Sequence, residues 1–366
     1  MRQKTFLALA GFLALLIVAP LAAYAAGLEE YAYYVDATSG NDSTGDGSES
    51  NPWKTLHHAI DQINEGSLGI YTVNVAAETY STANSEANQD LSIIQNNVTV
   101  IGETGSMPVV DGAGATNWSY GIKIEASNVT IRNLGVKSFA DWGIRITSGT
   151  GNRIEGCEIY DNGYTSELGG GGIWIENCSA DIRKNKIHNN YPVGILVEGD
   201  EAPASPRIER NEIYAHNIGI GMNGYGTGGK ATPSIINNLV YGIDSDLSFD
   251  IKCGIGVSAE SGGTASPAVY HNTLDGGPSD GIYVLNFAGT ITPDIKYNII
   301  GNLAGYGINN IGGSPIIDYN DVWNNSQGNY FGCEGLVGAN NISQDPLFSN
   351  YELQSGSPCI DAIPTE

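Results

Sequence analysis

Apolar and polar residues alternate along this chain in short runs. In SPRIERNEIYAHNIGIGM (residues 205–222), Ile208, Ile213 and Ile220 fall at positions flanked by Arg207, Glu209 and Tyr214. A period of two over three to five residues predicts half-buried β-strands and no helix. The same sentence recurs: TPSIINNLVY starts at Thr232, SPAVYHNTLD at Ser266, TPDIKYNIIG at Thr292 and SPIIDYNDVW at Ser314. Aligned on Leu134, Cys157, Asn185, Asn211, Asn238, Asn272, Asn298 and Asn320, the copies step by 23, 28, 26, 27, 34, 26 and 22 residues. A β-patterned repeat of this period predicts a β-solenoid.

Each copy parses into three strands. In residues 205–222, Ile208 points inward before a corner at Asn211, a residue type that tolerates left-handed backbone and hydrogen-bonds its neighbours. Stacked asparagines are expected to bond from coil to coil. Ile213 points inward after the corner, and Gly219-Ile220-Gly221-Met222 closes the triangle. This pattern resembles the right-handed parallel β-helix of pectate lyases, chondroitinases and their relatives over nearly the whole chain. YYVDATSGNDSTGDGSESNPWKTLHHAI (33–60) resembles the opening of many secreted bacterial β-helix proteins, in which a helix caps the solenoid; Trp53 to about Asn64 would form it. SQDPLFSNYELQSGSPCIDA resembles the closing segment of that group.

The expected fold is therefore all-β: a single-stranded right-handed parallel β-helix of about nine coils with a short N-terminal capping helix. The closing strands are counted from Val73-Asn74-Val75 to Gly307-Ile308-Asn309-Asn310, which gives a solenoid of roughly 40 Å. Residues 1–25 read as a signal peptide: Arg2 and Lys4 precede an apolar run, and Ala23-Tyr24-Ala25 suits cleavage. Residues 26–70 then hold the strand, acidic loop and helix, 71–325 the β-helix, and 326–366 an irregular C-terminal tail.

Equivalent residues of successive coils stack, so the outer face can be read as columns. Before the corner, Arg132, Glu155, Arg183 and Glu209 form one column, and Arg153, Asp181 and Arg207 another. Opposite charges alternate in both, which makes them structural ladders. After the corner, Tyr160, His188, Tyr214 and Tyr241 stack. On the closing strand, the outward column runs Lys123, Arg145, Trp174, Leu196, Gly221, Gly256, Tyr283 and Asn309. Two residues on lie Glu125, Thr147, Glu176, Glu198, Asn223 and Ser258. Just before the motif come Trp118, Tyr120, Asp141, Trp142, Tyr191, His216 and Tyr306.

The resemblance implies that substrate would run along the closing strands. Aromatic faces beside carboxylates suit a sugar ring, and Trp174, Trp142, Tyr191, Tyr283 and Lys123 are the candidate substrate-binding residues. An exposed aromatic column also suits a protein contact. Glu176 and Glu198 are vertical neighbours. At about 5 Å two carboxylates repel by roughly 3 kcal/mol at an effective dielectric of 20. Such a pair raises one pKa, recruits a cation or splays into water; its spacing also matches a retaining glycosidase.

The largest insertion, YGIDSDLSFDIKCGIGV (241–257), offers Asp244, Asp246 and Asp250 as candidate calcium ligands. Lys252 or Arg145 would then be the base of a lyase, as the resemblance implies. The adjacent aspartates of polygalacturonase-type hydrolases do not occur. The loop GNDSTGDG (40–47) reads as turns rather than a calcium loop, lacking the terminal glutamate of an EF-hand.

Charge narrows the partners. Without residues 1–25 the chain has 14 basic and 40 acidic residues, a formal charge of −26. It repels nucleic acid, and also polyanionic sugars unless a metal or basic patch intervenes. An exported chain is permitted disulfides, and Cys333–Cys359 is the expected pair among five cysteines. The functional expectation is a secreted or cell-surface protein that binds, and in one form cleaves, a polysaccharide, with calcium as cofactor in the lyase form. The rival is a non-catalytic adhesion or structural solenoid.

Overall fold

A computed structural model describes residues 27–163, 169–243, 251–277 and 279–360. Among these residues the chain winds as a parallel β-helix with three long sheets of eleven, ten and ten strands. The first sheet runs from Glu29–Val35 to Ile316–Asp318 and leads into the asparagine corner. The second follows the corner, from Thr79–Ser81 to Asp321–Trp323. The third is the closing sheet, from Leu91–Ile93 to Gly328–Phe331. Val73-Asn74-Val75 belongs to the first sheet, paired with Glu29–Val35, and not to the closing sheet. The added N-terminal strand takes that segment as its neighbour, which shifts the start of the closing series to Leu91.

Inward positions stack into apolar files. Ile154, Ile182, Ile208, Ile235, Val269, Ile295 and Ile317 are each at most 1% exposed. Full burial of such a side chain stabilises by about 1.5–3 kcal/mol. Each file member therefore outweighs a typical surface ion pair, which contributes about 0–1 kcal/mol. A charge in the middle of a file, such as Ile208→Asp, would break the coil.

The corner works by a device the sequence half reveals. Asn185, Asn211, Asn238, Asn272, Asn298 and Asn320 are buried. Each Nδ2 donates to Oδ1 of the next asparagine at 2.9–3.0 Å, ending on Asn341. Each Nδ2 also donates to a backbone carbonyl of the coil behind, as Asn211 does to Ile182. The left-handed residue is not the ladder asparagine, however. It is the residue before: Lys184, Arg210, Asn237, His271, Tyr297 and Tyr319 all have φ of 55–61°. The asparagine side chain satisfies buried backbone, so ladder bonding and not backbone tolerance selects it.

The Ser/Thr-Pro signature has its own role. Pro203–Ala204, Lys230–Ala231, Thr264–Ala265 and Thr290–Ile291 form a small four-stranded sheet just before it. The hydroxyls that follow pair across coils, Ser205 with Thr232 and Ser266 with Thr292, at 2.6 Å.

The capping helix spans Leu56–Asn64, starting three residues after Trp53. Thr55 caps it, its Oγ1 accepting from the His58 N–H at 3.2 Å. Asp42 fixes that cap by accepting from the Lys54 and Thr55 amides and the Thr55 hydroxyl. Leu56, Ala59, Ile60 and Ile63 are buried and close the end of the core. Asp42 is thus spent on the helix, and Asp46 on the Ser48 amide. The expected Cys333–Cys359 disulfide is absent: all five cysteines are free. The Cys333 Sγ lies against the Phe331 carbonyl at 3.2 Å, and the Cys359 thiol faces Asp321 Oδ2 at 3.1 Å.

Candidate functional site

The closing strands place the candidates in register. Lys123, Arg145, Trp174, Leu196, Gly221, Gly256, Tyr283 and Asn309 are successive Cα partners, as the column reading expects. Glu176, Glu198, Asn223 and Ser258 form the parallel column. Strand alternation puts both columns outside, and the apolar residues between them fill the core.

Four of these residues form one cluster. Arg145 Nη2 donates to Glu176 Oε2 at 2.7 Å. The same guanidinium lies 4.1 Å from the Trp174 ring centroid and 5.0 Å from that of Tyr120. Cation–π contact of this kind contributes about 0.5–2 kcal/mol and holds the guanidinium flat. Trp142 is 5% exposed and packs on Trp174 with centroids 5.6 Å apart, so it supports the second indole from behind. Lys123, one strand away, pairs with Glu125 at 3.0 Å.

Glu198 is the partner of Glu176 on the next strand. Burial raises its pKa above the ordinary glutamate value, and the Glu176 and Asp200 charges add to this. The Trp174 indole N–H and Arg145 pull the other way, though the indole does not reach hydrogen-bond geometry. Two buried donors in the cluster, Arg145 Nε and Trp174 Nε1, have no protein partner. The arrangement joins a carboxylate held by an arginine, a second carboxyl whose pKa burial raises, and an aromatic face.

Other expected residues lie elsewhere. Trp118 is 1% exposed, its indole N–H donating to the Gly121 carbonyl, and it is core. His216 is fully buried, and that burial drops its pKa to about 4, so it is neutral. Its ring continues a second corner ladder through Asn162 and Asn190. Tyr191 precedes its strand by two residues, and Val193 holds the column position there. Tyr283 lies four strands from Trp174, and Lys252 precedes a strand three away from Gly171–Glu176. At about 4.8 Å per strand, this sets Lys252 roughly 14 Å along the solenoid from Glu176 and roughly 10 Å from Glu198. Asp244, Asp246 and Asp250 lie outside the described residues. Among the described residues no group of three or more His, Cys, Asp or Glu is placed to hold a metal ion.

The column reading did not single out a hollow of about 150 Å³ beyond the cluster, floored by Gly221 and Gly256 and walled by Leu196, Tyr283, Leu285 and Phe287. The two bare glycines in register were its visible signal.

The family described as "Protein of unknown function (DUF1565)" matches residues 38–242, more than half of the chain. The chain belongs to this family. A right handed beta helix region also matches residues 171–343 of this DUF1565 member. No curated protein matches it by sequence. Similar solved structures include the native GH136 lacto-N-biosidase from Eubacterium ramulus, with TM-score 0.59 and 13% identity over 86% of this chain and 68% of that one. Pectate lyase Pel9A gives 0.57 and 14% over 86% and 82%. A rhamnogalacturonan lyase gives 0.51 and 14% over 86% of each chain. At these identities the likeness is one of fold, the right-handed parallel β-helix.

Proposed function

We propose that this DUF1565 member is an exported protein that holds a polysaccharide along the closing sheet and hydrolyses it, with Glu198 as acid and Glu176 as nucleophile. The observation that carries this reading is the Arg145–Glu176–Glu198 cluster against Trp174. Glu198, its pKa raised by burial, gives a proton to the leaving glycosidic oxygen. The Glu176 carboxylate, oriented by Arg145, attacks the anomeric carbon as the bond to that oxygen breaks. Water then releases the sugar, with Glu198 taking the proton back. Neighbouring strands lie about 4.8 Å apart, close to the roughly 5–5.5 Å carboxyl spacing of retaining enzymes. Trp174 offers a flat face and an unpartnered N–H for a ring hydroxyl. Structural neighbours whose names denote a biosidase and two lyases of carbohydrates support the class by analogy. Export rests on the leader-like residues 1–25.

The test is a screen of neutral and acidic glycans with wild type and Glu198→Gln, with calcium and with chelator. Reducing ends without ultraviolet absorbance, lost in Glu198→Gln, support hydrolysis. Unsaturated products that vanish with chelator would replace it by the calcium lyase of the Asp244/Asp246/Asp250 loop. Binding without product would make the protein a non-catalytic binder. Neither binding nor product would sink the carbohydrate reading.

A further inference from the structure

We propose that the hollow between Leu196 and Tyr283 is a subsite for an uncharged sugar bearing a methyl-terminated substituent, either acetamido or 6-deoxy. This rests on the carbohydrate reading above and names the class of glycan.

The first argument is the floor. Closing strands carry one glycine column that the fold demands: a Cβ at Gly219 would sit 2.6 Å from the Gly254 carbonyl oxygen. Gly221 is different. Among the described residues, the nearest atoms a Cβ there would meet are side-chain atoms of Ile218, Leu196 and Val193 at 3.5–3.7 Å, ordinary contact distances, and its φ is not in the left-handed region. Glycine inside a strand is a stability loss relative to a residue with a side chain. The coil geometry does not require Gly221, yet among the described residues no side chain fills the position. Emptiness on the outer face makes a hollow, and a hollow has use only if something enters it.

The second argument is the wall. The parallel outward column is polar through Glu176, Glu198, Asn223 and Ser258, then turns apolar at Leu285. Phe287 beyond it is 51% exposed. The hollow is continuous with the Trp174 cluster, because Trp174 and Leu196 are register partners. At about 150 Å³ it is smaller than the roughly 300–1,000 Å³ sites that enclose a drug-sized ligand, so it takes one ring edge or substituent.

The third argument is charge. The cations in the outward column, Lys123 and Arg145, are already paired with Glu125 and Glu176. Glu260 lines the hollow itself. A uronate carboxylate there meets a like charge inside a Debye length. An uncharged methyl is rewarded instead, since burying one corresponds to roughly fourfold in affinity.

Calorimetric titration of the full chain tests this with matched tetramers. N-acetylglucosamine tetramer and cellotetraose share a backbone and differ in acetamido against hydroxyl. Cellotetraose capped with a 6-deoxyhexose or with a hexose isolates the other source of the methyl. Tetragalacturonate is the charged control. At least one methyl-bearing probe should bind about fourfold or more tighter than its hydroxyl counterpart, with tetragalacturonate weakest. Gly221→Val and, independently, Tyr283→Ala should erase that preference. Equal or better binding of the hydroxyl or uronate probes overturns the subsite while leaving the carbohydrate reading intact. So does a preference that survives both variants. If none of these probes binds but the wider glycan screen finds a ligand, the subsite falls alone. If that screen is empty too, both fall.

Discussion

Two sets of arginine–carboxylate pairs decorate this solenoid. On the first sheet, Arg153 pairs with Asp181 at 3.2 Å, Arg183 with Glu155 at 3.1 Å and Arg207 with Glu209 at 2.7 Å. On the closing sheet, Arg145 pairs with Glu176 at 2.7 Å. The bond lengths hardly differ; the surroundings do. The Arg153 and Arg207 side chains are 42% and 50% exposed, and the Arg145 side chain is 20% exposed against two aromatic rings. In the ladders, charges alternate so that each carboxylate finds a cation. At the closing sheet two glutamates stand beside one arginine, which pairs with Glu176, and burial together with the Glu176 charge raises the Glu198 pKa. The lesson is that a pair becomes a candidate site through an imbalance that its neighbours do not cancel.

The largest expected effect separates the two sheets by function. Glu198→Gln should lower turnover of a responsive glycan by at least about a hundredfold, whereas Glu155→Gln should leave it unchanged. Initial rates on the hit from the glycan screen check this. If both variants retain full turnover, the closing-sheet pair is a ladder like the rest.

Next comes stability. Arg145→Met leaves the partly buried Glu176 carboxylate without its cation and should lower stability by about 1–3 kcal/mol. Arg207→Met, with a mostly exposed pair, should change it by about 0.2–1 kcal/mol. Urea unfolding of both variants measures the gap, and equal losses would erase the distinction.

The pH response should also differ in sign. The Glu198 carboxyl is raised in the folded protein, so its contribution is present below the ordinary glutamate value and is lost as pH rises through the folded value. Glu155 is lowered: burial would raise it, but Arg183, Lys184 and Arg153 together prevail. Its contribution is present above the ordinary value and is lost as pH falls through the folded value. Glu198→Gln should therefore remove a loss on the high-pH side, and Glu155→Gln a loss on the acid side. Unfolding midpoints across pH 3–8 check both slopes.

The smallest effect concerns the aromatic columns. Tyr214→Leu, in the evenly stacked His188–Tyr214–Tyr241 file, should cost about 0.5–1 kcal/mol and leave glycan binding intact. Trp174→Leu should weaken binding instead, and titration with the same glycan distinguishes the two.

The repeat made the columns legible, because a period of two and a constant coil step fix which residues stack. Arg145, Trp174, Glu176 and Glu198 could be placed side by side on that basis alone. The sequence did not reveal how their side chains lean. The diagonal reach of Arg145 to Glu176, and the burial of Trp142 behind Trp174, depend on rotamers that periodicity does not set. Periodicity assigned no orientation to the positions just before the motif, because the chain turns there. Trp118 and His216 end inside, while Tyr120 stays out beneath Arg145. The Val73–Val75 strand was misplaced because its sheet partner, Glu29–Val35, lies before the first recognisable repeat.

The asparagine ladder bears on how such a protein can change. The coil from Asn238 to Asn272 is the longest of the aligned copies, at 34 residues, yet the hydrogen bond from Asn238 Nδ2 to Asn272 Oδ1 is 3.0 Å, the same as across coils of 26 and 27. Each corner is pinned to the corners above and below it, whatever length of chain lies between. Loops can lengthen or shorten without displacing the outward columns of neighbouring coils. The ladder acts as a ruler graduated in coils, and it lets one face of the solenoid accumulate variation while the spacing of the carboxylates stays constant.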